Sequence, residues 1–522
     1  MIRNFTTGSV WKNIGLFSLP YFFSYFLQTL YGMADLFIIG QFEGAASITA
    51  VSVGSQVLHM ITVMIVGLAM GTTVCIAQAV GAEDRERVAR NIGNTTVLFL
   101  VVSLVLSLLL VHLTADITGW MATPAEAVAG TENYLWICFI GIPFITAYNI
   151  ISAIFRGLGD ARTPMYIILL ACLVNIGLDY LFMGYFQLGP AGAALGTTIS
   201  QAVSVLLGIF FMKRGEIGDW IYRQAFCPRR AVMGGILRIG VPIALQDGFI
   251  QIAFLVITII ANSRGLTDAA AVGIVEKIIS FIFLVPSSML STVSALGAQN
   301  IGAGKGERAI KTLHCAMRIT VGYGILVAAI VQFLAPQAVA LFTSDAAVVA
   351  AGADYFRGYI FDTIFAGIHF SFSGYFCACG RSELSFLHNV VSIVSARIPL
   401  VYLASAWFPA TLFPMGLATV SGSMVSVVIC LLAFAICGVV RRRSPGPGSR
   451  DWHAKRLFKQ NLDCLKSLFD EQSLFVVVLD AVAGAGVRTR IVSGVDRDVE
   501  VVVVPFMGQV MLVGGECSSR TR

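Results

Sequence analysis

Asn175 and Asp179 stand one helical turn apart in the stretch NIGLDYLF (175–182), so both side chains leave the same face of a helix. Gln28 and Asp35 are seven residues apart with Tyr31 between them, again on one stripe, and Thr197 and Gln201 repeat the four-residue spacing. Tyr134 and Asn149 add a hydroxyl and an amide from a further segment. Together they offer two carboxylates, amide oxygens and hydroxyls. Hard oxygen donors of this kind suit Na+, or a proton shared by two coupled carboxyls. Pro20, upstream of Asp35, removes a backbone hydrogen bond and permits a kink.

A second polar set lies in the other half of the chain. Asp247 and Gln251 share a helix face next to Gln246, and Asp354, Arg357 and Asp362 occur together further on. Asp247, Gln251 and Asp362 form a possible second site. Glu276, Lys277, Arg318 and Arg397 accompany them, so internal ion pairing is as good an account of these acids. His59 and His369 fall in mid-helix positions, where a lone histidine is more often structural than titrating.

The elements that hold these groups are membrane helices. Of 522 residues 57% are hydrophobic and only 12% are charged, where a soluble chain carries about 25% charged residues. Apolar segments recur at 13–41, 46–79, 91–113, 131–155, 163–186, 190–212, 237–262, 269–298, 311–334, 352–377, 384–407 and 412–440. Each is long enough to cross the bilayer as a helix, the form that satisfies every backbone group in lipid. An intramembrane carboxylate costs about 2.5–3.5 kcal/mol on insertion scales, so Asp35 and Asp179 are functional candidates. Alternate loops carry the basic residues, while the opposite set offers only Arg264. By the positive-inside rule both ends of the membrane domain are expected in the cytoplasm. The net charge of +6 lies in these short loops and does not mark a nucleic-acid surface. The eleven cysteines are scattered without metal-ligand spacing, and no GxxxxGK[ST] phosphate loop occurs. An ion gradient is therefore the expected energy source, with no cofactor and no enzymatic activity.

The chain also repeats itself. AQAVGAEDRERVARN (77–91) matches AQNIGAGKGERAIKT (298–312), and an offset of 221 pairs Gln78 with Gln299, Tyr134 with Tyr355 and Gly159 with Gly380. The expected fold is an all-α membrane protein of twelve transmembrane helices in two pseudo-symmetric six-helix lobes, 1–212 and 237–443. Residues 213–236 form a cytoplasmic linker and 444–522 a cytoplasmic tail to which no function is assigned. In that tail 452–470 read as an amphipathic helix, followed by short strands.

The segment from Pro20 to Asp35, the twin AQ-containing stretches, FRGLGDARTP (155–164), NIGLDYLF and GPAGAALGTTISQ (189–201) resemble the multidrug and toxic compound extrusion (MATE) family over residues 10–440. The resemblance implies a plasma (inner) membrane antiporter, a monomer in the bilayer, that exports cationic amphipathic drugs in exchange for H+ or Na+. It implies a coupling-cation site at Asp35, Asn175, Asp179 and Thr197, with Gln28, Tyr134 and Asn149 in supporting positions and Pro20 where the first helix bends. Other relatives pair a Glu on helix seven with an Asp on helix ten. Here Asp247 replaces that Glu, and Asp362 is the nearest match on helix ten. Two alternatives remain. One is a flippase for a lipid-linked oligosaccharide, which needs Arg or Lys in the cavity. The other is a non-transporting scaffold or receptor.

Overall fold

In a computed structural model of the chain, residues 3–214 and 223–442 are described. The amphipathic helix and strands expected after residue 444, and residues 215–222 of the linker, lie outside them. Among the described residues twelve helices make the membrane domain, with no strand. The first six are α1 (Val10–Phe42), α2 (Ala45–Gly81), α3 (Arg85–His112), α4 (Ala125–Ile140 with Ile142–Gly157), α5 (Arg162–Tyr185) and α6 (Gly189–Arg214). The second six are α7 (Arg230–Asn262), α8 (Leu266–Gly302), α9 (Gly306–Ala340), α10 (Ala346–Tyr359 with Asp362–Ala378), α11 (Ser382–Trp407) and α12 (Phe413–Arg442). Both lobes, to Ala433, form one compact unit.

Two of the expected spans are broken. α4 bends by 50° at Gly141. Pro143 stands in the first turn of its second piece, where its missing N–H does no harm but could not continue a helix from before the break. α10 is interrupted in the corresponding place, between Tyr359 and Asp362. α1, by contrast, runs unbroken through Pro20, whose carbonyl accepts from Ser24 Oγ at 2.9 Å. α5 and α11 each contain a π-helical turn, at Tyr180–Tyr185 and Ile393–Arg397. Such turns displace the ladder locally and are frequent at functional sites.

The outward faces are apolar. Leu108 of α3 is 73% exposed and Phe333 of α9 is 79% exposed, and both have company from neighbouring leucines. Patches of that size mark a membrane-facing surface. Exposed Trp120 and Trp407 stand at helix ends, the level at which the amphipathic indole ring favours the lipid–water interface.

The hydrogen bonds that join the two lobes gather at the end of the bundle where the basic loops lie. Gln78 of α2 donates to Ala378 O at 2.9 Å, and Gln299 of α8 donates to Gly157 O at 3.5 Å. Donors and acceptors alike are related by the 221-residue offset. The backbones of α2 and α8 nearly touch here. A Cβ on Gly81 would collide with Gln299 O, and one on Gly302 would collide with Gln78 O. A shared apolar cluster containing Val74, Ala77, Ile239, Leu290 and Ala298 packs beside this crossing.

Candidate functional site

In the first lobe α1, α5 and α6 converge on one buried polar cluster. Thr197 Oγ1 donates to Asp35 Oδ2 at 3.1 Å, and Asn175 Nδ2 lies 3.4 Å from Asp179 Oδ1. The two carboxyl groups lie within hydrogen-bonding reach of each other. Asp35 is 2% exposed and Asp179 is fully buried. Three oxygens of the cluster, Asp35 Oδ1, Asp179 Oδ2 and Asn175 Oδ1, accept no hydrogen bond from the protein. Facing carboxylates with vacant lone pairs repel unless a proton or a cation lies between them. The donor chemistry therefore fits either ion.

Local sequence explains the geometry. The four-residue spacing puts Asn175 and Asp179 on one face of α5, and the π-helical turn begins at the next residue, Tyr180. Gly196 leaves room for Asp179, whose Oδ1 occupies the place a Cβ there would need. Tyr31 OH donates to Thr197 O at 3.3 Å and lies 3.2 Å from Ser200 Oγ. Ser200 and Gly196 were not singled out from the sequence. Their signal is only position, Gly196 just before Thr197 and Ser200 three residues after it.

The other expected residues lie elsewhere. Gln28 lines a small cavity with Tyr21, Tyr25, Tyr148 and Arg156, where Arg156 bonds Tyr21 OH and Ser152 O. Asn149 donates to Ile145 O of its own helix at 2.8 Å. Tyr134 packs its ring against Gly54 of α2. The buried amide oxygen of Gln201 accepts no bond from the protein.

In the second lobe Asp247 and Asp362 are not joined. A Cβ on Gly67 of α2 would meet Asp247 Oδ2 at 2.7 Å, so this acid faces the other lobe. Asp362, fully buried, pairs with Arg397 at 2.9 Å, and Arg397 also donates to Tyr359 OH at 3.0 Å. No hydrogen bond ties Gln251 to either acid among the described residues. His369, His388, Ser423 and Ser426 line or border a cavity beside Arg397. His369 bonds Ser423, His388 bonds Ser373 and Ser426, and the two rings lie with centroids 5.6 Å apart; His59 is not part of this group. Among the described residues no group of three or more His, Cys, Asp or Glu is gathered as a metal site.

Comparison with known proteins matches this architecture. The MatE family model matches residues 20–181 and 242–403, two stretches that begin at Pro20 and Pro242. "Probable multidrug resistance protein YpnP" of Bacillus subtilis is 29% identical over 77% of this chain and 90% of its own. "Multidrug export protein MepA" of Staphylococcus aureus is 26% identical over 78% of this chain and 90% of its own. A solved structure described as "Outward-facing conformation of a multidrug resistance MATE family transporter of the MOP superfamily" superposes with a TM-score of 0.78. It is 23% identical and covers 84% of this chain and 98% of its own. With the family model matching most of the chain in two copies, the protein belongs to the MATE family of multi-pass membrane transporters.

Proposed function

We propose that the protein is an antiporter of the plasma (inner) membrane that exports cationic, amphipathic compounds in exchange for inward H+ or Na+. The observation that carries this reading is the Asp35–Asp179 cluster, buried among acceptors with no basic side chain bonded to it. The names of the relatives, multidrug resistance and multidrug export, support the substrate class. Basic loops on the linker side support a cytoplasmic placement of both ends of the membrane domain. Hydrogen bonds between lobes on that same side correspond to a state closed to the cytoplasm.

In that state Asp35 and Asp179 take the coupling ion from outside. Neutralising the facing carboxyls removes the negative environment that holds a cationic substrate, and α1 adjusts near Pro20. The substrate leaves, the lobes rock, and the ion is released inside. Ion and substrate compete for one charge, and each shifts the equilibrium only by its differential affinity for the two states. The coupling ion is cargo; no resident cofactor enters the cycle. The residues act as 1–212 and 237–443 rocking about 213–236, in a monomer, with no contribution from 444–522.

The flippase alternative needs a cavity cation free to hold pyrophosphate. Arg397 is committed to Asp362, Arg318 is exposed on α9, and Arg156, in the cavity beside Gln28, is held by Tyr21 OH and Ser152 O, which disfavours it. The deciding experiment measures uptake of a fluorescent organic cation into inverted vesicles under an imposed Na+ or proton gradient. Asp179→Asn is expected to abolish gradient-driven uptake while reaching the membrane in normal amount. Undiminished uptake by that variant would sink the site.

A further inference from the structure

The crossing of α2 and α8 is nearly symmetric, but one element beside it is not. Residues 3–7 precede α1 in extended and bent backbone and touch both lobes. On the side of the first lobe, Arg3 N donates to Leu158 O at 3.1 Å. Asn13 Nδ2 of α1 donates to Thr7 O at 3.0 Å. Phe5 is 5% exposed and packs edge-on against Phe17, with centroids 5.9 Å apart. On the side of the second lobe, Phe5 N donates to Gln299 Oε1 at 3.0 Å, and Gln299 Nε2 donates back to Arg3 O at 3.3 Å. Lys305 Nζ donates to Thr6 O at 3.0 Å, and Arg308 Nη2 to Thr7 O at 2.7 Å.

The lobes themselves show that this segment fills a place its counterpart leaves open. Gly159 and Gly380, paired by the offset, both hold a left-handed backbone, with φ of +86° and +69°. A Cβ at Gly159 would strike Arg3 O at 2.5 Å and the Phe5 ring at 3.1 Å, whereas one at Gly380 would meet nothing within 4 Å. The stretch equivalent to 3–7 is 224–228. Its Ala225 O accepts instead from Asn94 of α3 at 3.2 Å, away from Gln78. Gln299 accordingly serves two partners, Gly157 O and the segment, while the described bond of Gln78 is the one to Ala378 O.

We propose that residues 3–7 are a latch that holds the basic-loop face of the two lobes closed and must detach from Gln299, Lys305 and Arg308 before that face opens. The segment stays with the first lobe through Leu158, Phe17 and Asn13. Its described bonds to the second lobe are hydrogen bonds, which water replaces at small net cost once the lobes part. That combination makes a releasable fastening and not a permanent core. The latch rests on the reading that the lobes rock, but not on which ion drives them.

The test places spin labels at the exposed positions Glu83 and Glu307, on the basic-loop face of opposite lobes, in full-length protein whose exposed native cysteines are replaced. Distance distributions are recorded by electron double resonance in lipid nanodiscs, without substrate. Removing residues 2–7 is expected to raise the population of the longer, face-open distance at least tenfold over the intact chain. The double variant Lys305→Ala/Arg308→Ala keeps the segment but cuts its grip on the second lobe. It is expected to raise the same population at least threefold. Distributions unchanged in both variants would overturn the latch. This readout needs no transport, so it stands apart from failure of the antiport reading. Thermal unfolding of the double variant within a degree or two of the parent is expected; a large loss of stability without face opening would make residues 3–7 a structural brace and overturn the proposal.

Discussion

The two lobes share a backbone plan and differ in what they bury. In the first, Asp35, Asn175, Asp179 and Thr197 meet with oxygens to spare. Among the described residues the second lobe gathers no such pair of acids. There Asp362 is closed on Arg397, while Asp247 stands apart from both and faces Gly67 of α2. Even the π-helical turn is kept in both while its passenger changes, Asp179 just before it in α5 and Arg397 within it in α11. The scaffold is thus duplicated and the chemistry is not. Acids left without a basic partner suit reversible ion binding, whereas an acid closed on an arginine is already neutralised.

That contrast is open to attack at several points. The largest effect is expected in the first lobe. Asp35→Asn and Asp179→Asn should each lower gradient-driven export at least a hundredfold in reconstituted vesicles, because a neutral amide cannot exchange one cation for another. Introducing an amide on the corresponding helix of the second lobe, Leu400→Asn, should leave the coupling ion unchanged in the same assay; a switch of ion would show that the second lobe shares the site.

In the second lobe the expected loss is of stability. Asp362→Ala leaves a buried guanidinium without its counter-charge and should cost about 3 kcal/mol, read as a lowered unfolding midpoint in detergent. Asp362→Leu combined with Arg397→Met should recover most of it, since no charge is then stranded. If the double variant stays stable but loses transport, the pair is part of the ion cycle and the contrast fails.

The crossing of α2 and α8 should respond equally from either side. Gly81→Leu and Gly302→Leu each force a side chain into a backbone carbonyl, and should reduce transport about tenfold by preventing closure of the basic-loop face. Unequal effects would show that the symmetry at this crossing is only apparent. The smallest effect is expected from truncation after about residue 445. Transport by the shortened chain should match the full chain, and a truncated protein that reaches the membrane but does not transport would refute this.

Much of the site was legible because spacing on a helix is a local property. Asn175 with Asp179, and Tyr31 with Asp35, can be placed on common faces from residue number alone. Which faces meet was less legible. Gln28 satisfies the same stripe as Asp35 but ends in a separate cavity near Arg156. Asn149 turns back on its own helix. Both are polar residues in apolar helices, and such residues find whichever partner is nearest. Asp247 and Asp362 read as a pair by analogy, yet one faces Gly67 of the other lobe and the other closes on Arg397. Ser200 and Gly196 carried no signal stronger than that of any small residue in a membrane helix.

By itself the sequence determined the solvent, the number of crossings and the duplication. These follow from composition and period, which depend only on neighbours along the chain. The tertiary structure alone decided that α1, α5 and α6 bring two carboxyls together without a basic partner, that Arg397 is spent on Asp362, and that residues 3–7 lie across both lobes. Each of those depends on groups on different elements of the fold, from 35 to nearly 300 residues apart along the chain. Helical periodicity fixes the face a side chain leaves from, but only packing selects what it meets.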